Sequence, residues 1–235
     1  GALQAMQATN QLLALQSRAG ITAAELAAAH ADFQRRHAAP LARHWTPHAN
    51  TRDPQRRLRL GFVSPDLARH PVGFFLIGAA EQLAARQVQT VFYSDRTSGD
   101  ELTSRFRAAA GLWRESFGLD DERLAARVRA DGIDILFDLA GHTAHNRLLA
   151  FARRPAPLQI AWIGYPGTTG LSAMDYLLAD RHQVPDGAEG FYSERILRMN
   201  EGYVCFAPPG YAPAVGPLPA TAPGRVTFAS FNNPS

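Results

Sequence analysis

Three short polar stretches hold most of the residues in this chain that could move a proton or hold a ligand. The first, Ser64–His70, brings Ser64, Asp66 and His70. The second, DLAGHTAHN from Asp138 to Asn146, brings Asp138, Gly141, His142, Thr143, His145 and Asn146. The third, GYPGTTG from Gly164 to Gly170, brings Tyr165, Pro166, Thr168 and Thr169 on a glycine-rich backbone. A neutral imidazole is a base near physiological pH, and a carboxylate beside it fixes its tautomer and steadies the charge it gains. Each stretch also has an inert reading. Asp138 can cap its own turn, His142 can sit on the surface, and the first β-α turn of any α/β fold is polar. All three being inert together is a weaker account than one working rim.

Other chemistries find less support. The chain contains no lysine, so a Schiff base and a P-loop lysine are both excluded from it. No G-x-G-x-x-G follows the first strand, and there is no G-x-S-x-G elbow and no Asp-x-Asp metal–nucleotide handle. His142 and His145 are too poorly supported by neighbouring Cys or Glu to make a metal pair, so no metal site is expected. A net charge of +3, all of it from arginine on the positive side, is too small to call for nucleic acid. Arg52, Arg56, Arg57 and Arg59, and the Arg153-Arg154 pair, read as solvated faces. With 46% apolar residues and no run near ~18 apolar positions, the chain reads as globular, with no membrane partner. Cys205, alone in an apolar stretch, reads as a core thiol in a reducing compartment, and a cytoplasmic location is expected.

The elements that must place these turns form an α/β pattern. Leu58, Leu60, Phe62 and Val63 make a short buried strand, and Pro71 suits the first position of the helix after it. Strands are predicted at Val88–Ser94, Leu112–Phe117, Ile133–Leu139, Leu158–Ile163 and Tyr176–Ala179. Helices are predicted between them, one capped by Ser98 with Glu101 and one by Asp120, and a short one around Arg147–Phe151. The alternation predicts a Rossmann-like, mostly parallel sheet with helices on both faces, spanning 57–206. Ligands of such sheets gather at the carboxyl ends of the strands, where all three polar turns would lie.

Residues 1–50 read as a separate helical segment. Leu3, Met6, Leu12, Leu13 and Leu15 mark one helix, ended at Gly20; Thr22 and Glu25 form a capping box for a second, stopped by Pro40. So short a pair must pack on a further helical array or on the α/β domain. Prolines and Asn50 within 40–56 mark a linker. After Asp180 the pattern loosens: a small helix closing at Tyr192–Glu194, then short strands at Ile196–Leu197 and Tyr203–Phe206. Six prolines and three glycines make 207–224 a second linker, and Arg225–Phe231 begins a new strand, expected to open a second lobe of a longer protein.

Three stretches together resemble a known family. GFVSPDLARHPVG at 61–73, DILFDLAGHTAHNRLLAFARRPAPLQIAWIGYPGTTG at 134–170 and MDYLLAD at 174–180 are similar to the catalytic region of O-linked N-acetylglucosamine transferases, the bacterial members above all. The resemblance runs from about Leu58 to Phe231. It implies the first lobe of a two-lobed glycosyltransferase B fold, preceded by tetratricopeptide-like helices. It also implies UDP-N-acetylglucosamine as donor, a protein or peptide acceptor, and no metal or other cofactor. Most donor contacts, including a diphosphate lysine, would lie in the other lobe.

By that resemblance, His70 and Asp138 match the two residues proposed in the family to take the acceptor's proton. Asp66, Pro71, Gly141, His142, Thr143, Tyr165, Pro166 and Thr168 would line the substrate cleft. The apolar run Val72-Gly73-Phe74-Phe75 after His70-Pro71 departs from the animal enzymes. Two rival functions remain: a sugar transferase of the same fold acting on a small molecule, and a non-catalytic binding module.

Overall fold

The computed structural model of the chain describes residues 2–218, 226 and 228–230. Seven strands make one sheet: β1 (Leu58–Ser64), β2 (Val88–Ser94), β3 (Leu112–Glu115), β4 (Ile135–Asp138), β5 (Leu158–Trp162), β6 (Tyr176–Ala179) and β7 (Arg195–Arg198). Their order is β3-β2-β1-β4-β5-β6-β7, and every neighbouring pair is parallel. The helices are α1 (Ala2–Gln16), α2 (Ala23–Phe33), α3 (Pro71–Ala84), α4 (Glu101–Ala109), α5 (Asp121–Ala130) and α6 (Leu148–Phe151).

Alternation along the strands feeds two cores. Leu60, Phe62 and Phe92 face Leu76, Ile77 and Phe106 of α3 and α4. Val63, Val91 and Tyr93 belong to the other layer, with Leu124 and Val128 of α5 and Phe151 of α6. Phe62 stacks between Phe92 and Phe137, with ring centroids at 5.0 and 4.9 Å. Truncating such a ring costs about 3–5 kcal/mol, so β1 is held rigidly beneath the first polar turn.

The helical segment is not separate from this lobe. Ala5, Leu12, Phe33 and Ala38 lie in the same apolar cluster as α5, α6 and the sheet. The capping box forms as expected: Glu25 N–H donates to Thr22 Oγ1 at 3.2 Å and Thr22 N–H to Glu25 Oε2 at 2.8 Å. Pro40 does not stop the second helix. The chain loosens into a π-helical turn over Gln34–Ala38 and then a 3-10 helix over Ala39–His44, where Pro40 falls at the start and needs no N–H partner.

Other differences have local causes. Asp100, not Ser98, caps α4, because its carboxylate accepts from Thr103 N–H at 2.9 Å. A 3-10 turn, Glu189–Phe191, replaces the helix expected to close at Tyr192–Glu194. Tyr203–Phe206 is apolar but forms no strand. Trp162 Nε1–H donates to Tyr203 O at 2.8 Å and Phe206 packs edge-on against Phe75, so side chains fix it instead. Cys205 is exposed there rather than a core thiol. Trp162 itself is only partly buried. Much of the expected strand Arg225–Phe231, and 219–224 of the linker, lie outside the described residues; Val226 and Phe228 are exposed.

Candidate active site

The chain steps from β1 to β2 on one side of the sheet and from β4 to β5 on the other. The switch point therefore falls between β1 and β4, which run in register with Val63 opposite Asp138. The first and second polar turns leave the sheet here, side by side.

The first turn is wound tightly. Asp66 N–H donates to Ser64 Oγ at 2.9 Å, Ala68 N–H to Asp66 O at 2.8 Å and His70 N–H to Ala68 O at 2.7 Å. A side chain at Gly73 would collide with Ala68 O, so only glycine lets α3 start so close. His70 is the N-cap of α3: Val72 N–H donates to its Nδ1 at 3.3 Å. The same Nδ1 lies 3.7 Å from Asp66 Oδ2. Burial pushes the Asp66 carboxyl up, while His70, Arg96 and His145 pull it back. His70 and Pro71 are exposed and Asp66 half-buried, so a base with a carboxylate neighbour stands at the open rim.

Asp138, by contrast, is enclosed at 1% exposure. Its oxygens accept from Ala140 N–H at 3.2 Å and Gly141 N–H at 2.9 Å, closing the second turn. Burial lifts its carboxyl to about 6, against those two bonds and with Glu194 adding to the rise. The carboxylate, expected from the resemblance as a proton acceptor, caps its turn and reaches no open surface. Thr143 is half-buried, its hydroxyl donating to Ala140 O at 2.9 Å.

His142, a cleft residue by the resemblance, is fully buried against the helical segment. Its Nε2 lies 2.8 Å from Thr169 O and its Nδ1 3.3 Å from Thr9 Oγ1. A carbonyl only accepts, so Nε2 carries the proton and Thr9 donates to Nδ1. Burial holds the ring neutral, with its pKa down to about 3. Phe33, His30 and Tyr165 surround it edge-on.

Tyr165 and Thr168, expected as cleft walls, are likewise turned inward, at 4% and 5% exposure. Thr168 and Thr169 donate through both hydroxyls to Glu194, and Thr169 N–H donates to Glu194 Oε1 at 2.7 Å. Pro166 alone of the three stays exposed. Ile163, just before this turn, has φ +70°, a strained value for a β-branched residue that sharpens the exit from β5. Glu194, His30, Thr9 and Gln16 escaped the reading of the sequence; each acts on a partner at least 25 residues away and belongs to no motif. Among the described residues no group of three His, Cys, Asp or Glu is placed to hold a metal ion.

Residues 13–206 match the family model for glycosyl transferase family 41. The chain belongs to that family. It is 38% identical over 228 residues to the probable UDP-N-acetylglucosamine–peptide N-acetylglucosaminyltransferase SPINDLY of Solanum lycopersicum, covering 95% of this chain and 24% of that protein. The Arabidopsis thaliana protein of the same name is 39% identical, over 80% of this chain and 21% of its own length. A solved mutant of the Thermobaculum terrenum O-GlcNAc transferase superposes with TM-score 0.84 at 39% identity, over 91% of this chain and 41% of that one. This family 41 chain thus spans about a quarter of the curated relatives and two fifths of the solved structure. No helix among the described residues is long and apolar enough to cross a membrane.

Proposed function

We propose that this chain is the acceptor-side lobe of an inverting transferase that moves N-acetylglucosamine from UDP-N-acetylglucosamine to Ser or Thr hydroxyls of proteins. The names of its family 41 relatives support the donor and the peptide acceptor. In this reading 57–206 is the first catalytic lobe, 1–50 the end of a tetratricopeptide-like array that guides the acceptor, and 207–224 the linker. Residues 225–235 then open the second lobe, which supplies the main grip on the nucleotide. A cytoplasmic location belongs to the same reading, supported by a single free cysteine.

The observation that carries it is the His70–Asp66 pair at the switch point. An acceptor hydroxyl attacks the anomeric carbon from the face opposite UDP. The new C–O bond forms as the bond to the diphosphate breaks, through an oxocarbenium-like transition state. The hydroxyl proton passes to His70 Nε2, directly or through water, once the ring has given up the Val72 N–H bond and carries its other proton on Nδ1 toward Asp66. The 3.7 Å gap is of the length that tightens on substrate binding. Asp138 shapes the neighbouring turn without taking the proton. Pro71 and Pro166 stand exposed on the first and third turns, and Thr143 is half-buried on the second.

Release of UDP from UDP-N-acetylglucosamine by the full-length protein, with and without a Ser/Thr peptide, tests this. Peptide-dependent release that persists in EDTA is expected. Release without any peptide effect would favour a small-molecule acceptor, and no release would leave a binding module.

A further inference from the structure

The helical segment grips the third turn at three points. Gln16 Nε2 donates to Tyr165 Oη at 2.9 Å, and His30 Nε2 lies 2.9 Å from the same oxygen. Gly167 sits so near Gln16 that a Cβ would fall 2.5 Å from Nε2, and one on Gly170 would fall 2.6 Å from His30 O. Hydrogen-bond chemistry fixes the directions. His30 Nδ1 is 2.6 Å from Leu26 O, which only accepts, so Nδ1 carries the proton. Burial lowers the pKa of this ring and keeps it neutral. Nε2 is then an acceptor, and the Tyr165 hydroxyl donates to it.

The turn so held is locked to its neighbour. A side chain at Gly141 would collide with Tyr165 Cβ, and one at Gly164 with Leu139 O. Gly141 N–H is itself a donor to Asp138. A continuous path of direct contacts thus runs from α2 through Tyr165 to the turn beside β1.

We infer that His30 is a positioning residue for transfer: by accepting the Tyr165 hydrogen bond it sets the Gly164–Gly170 turn, and through it the Asp138–Asn146 turn, which makes α2 a structural part of the reacting rim. The inference rests on the transferase reading above. Nothing in it requires His30 to touch substrate.

The test compares His30→Gln, His30→Asn and Tyr165→Phe in the full-length protein, in peptide transfer from UDP-N-acetylglucosamine. Glutamine can place its amide oxygen where Nε2 stood and accept from Tyr165. Asparagine reaches only the Nδ1 position, keeping the bond to Leu26 O and losing the other. The Asn and Phe variants should each lower kcat about tenfold, with the donor KM changed by less than about twofold. The Gln variant should restore most of the loss, and combining Asn with Phe should add nothing further. If the Asn variant does not fold, the Phe variant, which lacks one oxygen atom, decides. An active wild type with unaffected Asn and Phe variants overturns this inference alone, as does a Gln variant no better than Asn at equal melting temperature. An inactive wild type overturns the transferase reading, and this inference with it.

Discussion

Gly141 and Tyr165, from turns after different strands, approach so closely that no side chain fits on the glycine. Gly141 also has φ +57°, where an L-residue is strained. Gly141→Ala should therefore cost roughly 3 kcal/mol, from left-handed backbone and overpacking together. Thermal unfolding of the full-length protein measures this; an unchanged melting temperature would show that the two turns are free to separate.

His70→Ala should cut peptide transfer by about 10²-fold, the usual scale for a lost acid–base group. The ring is exposed and its one backbone bond, to Val72 N–H, caps a helix, so stability should fall by only about 1 kcal/mol. Asp66→Asn should lower kcat in the same direction by less. Near-normal turnover in the alanine variant removes His70 from the mechanism.

Asp138→Asn should behave differently. An amide puts an NH2 against one of the two backbone donors at Ala140 and Gly141, leaving a buried N–H without an acceptor at about 1–3 kcal/mol. Activity and melting temperature should fall together. A loss near 10²-fold at unchanged stability would return Asp138 to the role of proton acceptor.

Acid should weaken the junction between helices and lobe. The folded pKa of His142 is depressed from 6.5 to about 3, so the stability its neutral form contributes is complete above pH 6.5 and lost as pH falls toward 3. His30 shifts the same way. Asp138 opposes them: its folded carboxyl is raised to about 6, so its contribution is present at low pH and lost as pH rises through that value. In urea unfolding between pH 4 and 7, His142→Gln should give a shallower acid-side loss than wild type. An identical profile would mean the ring is not buried in solution.

How far the sequence could be read depended on the distance over which each residue acts. Val88–Ser94 and Tyr176–Ala179 are apolar runs bounded by turn residues, and both strands fall where the pattern puts them. The Thr22/Glu25 box and the Asp120 cap are also local, and both form. β7 is only Arg-Ile-Leu-Arg, too short for a period to name its sheet partner. Tyr203–Phe206 has the composition of a strand but is fixed by Trp162 and Phe75, which no local pattern records. The site divides along the same line. His70 and Asp66 sit four apart and could be paired on sight. That His142 and Tyr165 turn toward the helices, and that Glu194 ties down both threonines, follows only from the three-dimensional packing.

One consequence of the junction concerns the order in which the molecule is assembled. Thr9 and His30 are made 133 and 135 residues before His142 and Tyr165, the groups they bind. During synthesis the two helices emerge before these partners, and their junction with the lobe closes only after the fifth strand and its exit turn have left the ribosome. The third turn cannot become native before then. Contacts of such long sequence separation slow folding, so a protein with weakened α1 or α2 should be caught by chaperones and proteases long before any defect in chemistry is seen.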